Sequence, residues 1–204
     1  MSVTVILPSI DLENTRACID TMRFIDPDSV PILTGTDAHG IPDVASVNGG
    51  DWHEGHPDVR LVVAYNTLAH NIGVAGSWNV GVREMYAHHH DWLVICSAGV
   101  RFGTQGGKDF LLALRMAEFL TWPNGRPLVI EAGNDLGWHL IAFHRPVFQR
   151  VGYFDETFWP AYFEDNDFSY RIQLAYGIDS RAPDFVGPLW PKVDVDATLD
   201  SVAH

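Results

Sequence analysis

The chain has 204 residues, 47% hydrophobic and 19% charged, which is enough apolar side chain for a buried core and too much for a disordered chain. Lys and Arg number 13 against 26 Asp and Glu, and the formal charge of −13 excludes the basic stripe that general nucleic-acid binding requires. An anionic small ligand then needs a local reversal of the field by a few Arg, Lys or backbone N–H groups.

The first eleven residues lack the basic start and small-residue cleavage site of a signal peptide, and no stretch approaches the ~20 apolar residues of a bilayer span. Cys18 and Cys96 both stand in apolar company and read as reduced core residues, so a cytoplasmic protein is expected. Residues 3–8 (VTVILP) form a β-branched run that predicts a buried strand closed by Pro8, and helical character follows over 12–24. A second strand is expected at 30–34, closed by Gly35-Thr36-Asp37. Residues 41–57, rich in Gly, Asp, His and Pro, read as a long surface loop. Residues 61–65 (LVVAY) predict a third strand.

A Gly- and Asn-rich turn at 71–77 then enters a helix to about Ala87, with Trp78, Val82 and Met85 on one apolar face. Residues 92–96 (WLVIC) are the fourth buried strand, and 110–120 predict a buried helix ended at Pro123-Asn124-Gly125. Short strands follow at 128–130 and 140–143. Residues 164–176 predict a helix with Phe168, Ile172 and Ala175 facing inward, stopped by Gly177. The tail at 183–204, broken by Gly187, Pro188 and Pro191, reads as irregular. Apolar strands alternating with helices predict one α/β, Rossmann-like domain over 1–204, with a mostly parallel mixed sheet flanked by helices. Ligands in such folds sit beyond the carboxyl ends of the strands, here Pro8-Ser9 and residues 34–37, 66–71 and 97–102.

Chemistry concentrates in Phe163-Glu164-Asp165-Asn166-Asp167 followed by Arg171. Acids favour a helix N-terminus, and Asp167 with Arg171 is an ordinary i,i+4 ion pair, so spacing alone favours a structural role. The functional reading is a general base crowded by neighbouring acids. It gains from the surrounding Tyr153, Phe154, Phe158, Trp159, Tyr162 and Phe163, because apolar faces beside carboxylates suit a sugar. Trp159 and Trp138 are the candidate stacking platforms. Residues 71–81 (NIGVAGSWNVG) fit either a loop presenting N–H groups to phosphate or a tight turn that needs small residues. Asn79 and Arg83 fall four apart on one helix face. The run His88-His89-His90-Asp91 is a helix C-terminus favoured by the dipole, and His53 and His56 lack the further ligands of a zinc site.

The opening VTVILPS of 3–9, the spacing of Asn71, Gly73, Asn79, Gly81 and Arg83, and the pair GYFDE (152–156) and EDNDFSYR (164–171) occur in order. Together they resemble the inverting glycosyltransferases of family 2, which have the GT-A fold. The resemblance implies that Asp165 deprotonates an acceptor hydroxyl, which attacks the anomeric carbon opposite the departing nucleoside diphosphate. Glu164 and Asp167 would orient acceptor or base. Pro8, Ser9 and Asp37 fall where the family holds the nucleotide's base and ribose. Asn71, Gly73, Asn79, Arg83, Ser97, Gly99 and Arg101 complete the expected donor side, and Trp138, Trp159 and Glu164 the acceptor side.

One stretch departs from the family. Where a D-x-D motif would hold Mn²⁺ or Mg²⁺, this chain has Ser97-Ala98-Gly99, and Gly99 has no side chain to coordinate with. No metal ligand is therefore assigned. A diphosphate leaving without metal needs cations or N–H donors, for which Arg101, then Lys108, Arg83 and Arg145, are the candidates. The expected partners are a nucleotide-sugar donor and a glycan, protein or small-molecule acceptor. The alternatives are a metal held elsewhere, a non-catalytic binding module on the same fold, and a nucleotidyltransferase, against which Gly99 counts.

Overall fold

The computed structural model describes residues 1–22, 25, 44–48, 58–118, 128–133, 136–181 and 189–200. Asp37, the strand expected at 30–34, and His53 and His56 lie outside the described residues. The β-branched opening forms β1 (Ser2–Ser9), which runs through Pro8 rather than stopping there. It pairs in parallel with β3 (Asp58–Tyr65) on one side and β4 (Trp92–Cys96) on the other. Parallel strands need crossover connections, and α2 (Gly73–Ala87) supplies the one from β3 across β1 to β4. Among the described residues the sheet has seven strands, in the order β2 (Val44–Asn48), β3, β1, β4, β7 (Gly137–His144), β6 (Val129–Ala132) and β8 (Lys192–Val193). Its centre, β3-β1-β4, is a parallel block, β7 runs antiparallel to both β4 and β6, and β8 pairs in parallel with β6.

Period-2 alternation divides the strands between two cores. Val3, Val5 and Leu7 of β1 and Trp92, Val94 and Cys96 of β4 face one side, with α1 (Leu12–Met22) and α3 (Gly106–Ala117). Ile6, Leu93 and Ile95 face the other, under α2, α4 (Arg145–Val151) and α5 (Glu164–Tyr176). Cys18 and Cys96 are buried thiols in the first core, their Sγ atoms 3.9 Å apart.

Three further expectations are corrected. Residues 44–48, inside the expected surface loop, form the antiparallel strand β2 (Val44–Asn48) against β3, because the short VASVN run has strand character despite its Gly-rich flanks. The helix expected at 110–120 begins at Gly106 and is amphipathic rather than wholly buried, with Leu112 and Met116 exposed. The tail is not irregular throughout. It adds β8 (Lys192–Val193) to the main sheet and pairs β9 (Ala197–Leu199) with β5 (Val100–Phe102), with Trp190 and Val195 buried. Trp190 Nε1 donates to Glu131 Oε2 at 3.1 Å and Lys192 pairs with Glu131 Oε1 at 2.9 Å, fastening this segment to β6.

Candidate functional site

Beyond the carboxyl ends of β1, β3 and β4 lies a cleft of about 410 Å³, lined by Pro8, Ser9, Ile10, Asn66, Asn71, Gly73, Val74, Ser77, Trp78, Ser97, Ala98, Pro160 and Ala161. Its size suits a small ligand, since such sites run roughly 300–1,000 Å³. The structure brings five expected residues together here: Pro8, Ser9, Asn71, Gly73 and Ser97. Asn66, Ser77 and Trp78 join them without having been singled out. Asn66 stands on the expected strand end, whereas Trp78 reads from the sequence as core.

The start of α2 is already occupied. The N–H of Ile72 donates to Asn66 Oδ1 at 3.0 Å, that of Gly73 to Asn71 Oδ1 at 2.7 Å, and that of Val74 to the Pro160 carbonyl at 2.9 Å. Three amides at the beginning of this helix are therefore satisfied by protein, and the glycine-rich segment serves as a turn. Gly73 has φ of +75°, and a Cβ there would lie 2.9 Å from the Pro160 carbonyl oxygen. Trp159 Nε1 donates to the Asn71 carbonyl at 2.8 Å, so residues 159–161 are strapped across one wall of the cleft.

The strap leads into α5 through two residues with left-handed backbone, Tyr162 (φ 83°) and Phe163 (φ 72°), both aromatic and exposed. Non-glycine residues in this region store strain, and such strain clusters at functional sites. The three acids of the first turn then separate by environment. Asp167 Oδ2 accepts from Arg171 Nε at 2.7 Å. Glu164 is 6% exposed, and its Oε2 has no hydrogen-bond partner. Burial pushes its carboxyl above the ordinary value, Asp165 adds to this, and the backbone N–H groups of Glu164 and Tyr162 oppose it. Asp165 is half-buried, with the backbone and side-chain amides of Asn166 on its Oδ1.

Other expected site residues have different surroundings. Asn79 is buried. Its amide donates to the Phe154 carbonyl at 2.9 Å and to Glu156 at 2.8 Å, and its oxygen accepts from Phe154 N–H at 3.0 Å. Arg83 is more than half exposed, 4.0 Å from Glu156. Trp138 is half-buried and stacks on Trp78 at 5.7 Å, backing the cleft rather than lining it. Trp159 is exposed. Arg101, the first-choice cation, donates to the Ala98 and Val100 carbonyls, to Asn14 Oδ1 at 2.9 Å and to Asp200 Oδ2 at 3.0 Å. Its guanidinium joins α1, the turn after β4 and the C-terminal segment. Arg145 bonds the His89 carbonyl, and Lys108 lies in the first turn of α3.

The stretch Ser97-Ala98-Gly99, to which no metal ligand is assigned, offers no carboxylate to an ion. Gly99 is buried, and its carbonyl accepts the Asp200 N–H at 2.9 Å. Among the described residues no three His, Cys, Asp or Glu side chains converge to hold a metal. His139, which the sequence gave no reason to single out, stands beside Ser97, its Nδ1 3.1 Å from Ser97 Oγ.

No protein-family profile and no curated protein matches the chain. Among solved structures, the crystal structure of S. aureus TarS 1–349 is similar with a TM-score of 0.48 and 12% identity. The match covers 86% of this chain and 56% of that one, so the chain spans little more than half the length of this neighbour.

Proposed function

We propose that the chain is a glycosyltransferase, moving a sugar from a nucleotide-sugar donor in the strand-end cleft to an acceptor hydroxyl with inversion. One observation carries the reading. The strap lining the cleft at Pro160 and Ala161 runs directly into the first turn of α5, where Asp165 is partly exposed and paired with no cation among the described residues, while Asp167 is paired with Arg171 and Glu164 is buried. Asp167 is held by Arg171 and Glu164 is folded into the protein, so neither competes for the role of base. This supports the resemblance of the sequence to the inverting family-2 enzymes.

In this mechanism the acceptor O–H gives its proton to Asp165 as its oxygen bonds to the anomeric carbon. The bond from that carbon to the phosphate oxygen breaks on the opposite face, and the electron pair leaves with the nucleoside diphosphate. Ser9 and Asn66 line the cleft where the nucleoside end would sit, joined by the Asn66 N–H to Ser9 carbonyl bond at 2.6 Å and fixed by Thr15, Ile72 and Ser77. Trp159, Tyr162 and Phe163 offer apolar faces to an acceptor sugar. A second reading, a binding module that no longer transfers sugar, is favoured by Gly99 and by the fully engaged Arg101.

The test is to present UDP-, GDP- and dTDP-sugars and follow both melting temperature and donor consumption. A ligand at a hundred times its Kd stabilises the fold by about 2.7 kcal/mol, a plain upward shift in melting temperature. Stabilisation with slow donor turnover is the expected result. Stabilisation without any turnover identifies the binding module, and no response to any donor contradicts both readings.

A further inference from the structure

The leaving diphosphate presents a problem that the expected groups do not solve. The metal-ligand position is a buried glycine with its carbonyl engaged, Arg101 is bonded on every side, and the amides opening α2 are taken by Asn66, Asn71 and Pro160. Among the described residues, those lining the cleft are uncharged. At the mouth of β4, the neighbouring strand β7 brings His139 to Ser97. The Ser97 N–H donates to the His139 carbonyl at 2.8 Å, and the Ser97 carbonyl accepts from Val100 N–H at 3.0 Å. With its backbone thus fixed, Ser97 lines the cleft with its hydroxyl 3.1 Å from His139 Nδ1.

We infer that His139, oriented by Ser97, takes the place of the metal ion by donating a hydrogen bond from Nε2 to the diphosphate of the donor. When the Ser97 O–H donates to Nδ1, the neutral ring must carry its proton on Nε2, so the hydroxyl selects the tautomer. The Nε2–H then meets the phosphate oxygen on which negative charge grows as the anomeric C–O bond breaks. No proton is transferred and no co-reactant is needed, since the donor is present before the reaction starts. Ser97 acts on the phosphate through His139 and is a positioning residue. His139 touches the leaving group and is catalytic. This inference rests on the nucleotide-sugar reading above.

The experiment is calorimetric titration of UDP and GDP, and of uridine and guanosine as uncharged controls, each in EDTA and in Mn²⁺. A hydrogen bond to a charged group predicts that His139→Ala weakens diphosphate binding on the order of tenfold, leaving nucleoside binding unchanged. Ser97→Ala should weaken it less, and wild-type affinity should be the same in EDTA and in Mn²⁺. His139→Phe, which keeps a ring on the strand, serves where the alanine variant folds poorly and should give the same selective loss. Binding that requires Mn²⁺, or equal diphosphate affinity in wild type and both His139 variants, overturns the inference while leaving the transferase reading intact. Failure of every nucleotide and nucleoside to bind overturns the reading itself.

Discussion

Asn79 stands on α2, where its three hydrogen bonds hold the GYFDE segment against the helix. Its truncation leaves two buried backbone groups of Phe154 unpartnered. Asn79→Ala should therefore destabilise the fold by about 2–4 kcal/mol in urea titration, with lost activity following from lost structure. Glu164 presents the opposite case, a buried carboxylate with an orphan oxygen. Its folded pKa is raised, so the folded state binds the proton more readily than the unfolded chain does. The stability it contributes is full below the ordinary glutamate value of 4.5 and is lost as pH rises through the folded value. Glu164→Gln keeps an oxygen for the backbone N–H groups and removes that loss. Its melting temperature should exceed wild type at pH 7 and match it near pH 4, and a lower value at pH 7 would contradict the burial argument.

Helix α2 shows why local pattern and tertiary packing must be read together. A Cβ on Gly81 would lie 2.6 Å from Ile6 Cβ and 2.9 Å from Leu93 Cδ1, so this glycine lets the helix rest directly on β1 and β4. Gly81→Ala gains helix propensity and overpacks the core, and the second effect is larger, costing about 1–3 kcal/mol measured by denaturation. The strands β1, β3 and β4 were legible because each is a continuous apolar run. The strand β2 and the tail strands were not, since they are short and framed by turn residues. Their strand conformation comes from the partners they pair with, β3, β6 and β5. The site divides in the same way. Pro8, Ser9, Asn71, Gly73 and Ser97 were visible as strand ends and turn residues, whereas His139 reaches Ser97 only through the antiparallel pairing of β7 with β4, which no local pattern announces.

Taken as a whole, the molecule is acidic, and its cleft has no charged lining residue among the described residues. Its response to acid should come in part from histidines. His90 is buried with Nδ1 2.8 Å from Thr4 Oγ1, and it faces Asp58, Asp91, His88 and Arg60. Burial lowers its pKa below the ordinary 6.5, more than Asp58 raises it, and desolvation lowers His139 and His144 as well. A depressed folded value means that this stability is present above pH 6.5 and is lost as pH falls from there through the folded values. Melting temperature should drop between pH 7 and pH 5, with a shallower drop in His90→Gln. A pH-independent melting temperature across that window would contradict the assignment.

The most direct test of the catalytic claim compares wild type with Asp165→Asn on the same donor and acceptor, measuring transfer and donor affinity side by side. Losing the base should lower turnover by roughly 10²–10⁴-fold, with donor affinity and melting temperature close to wild type. Undiminished transfer by Asp165→Asn would show that another group takes the acceptor proton, and Asp165 would then be only an acid at the start of α5.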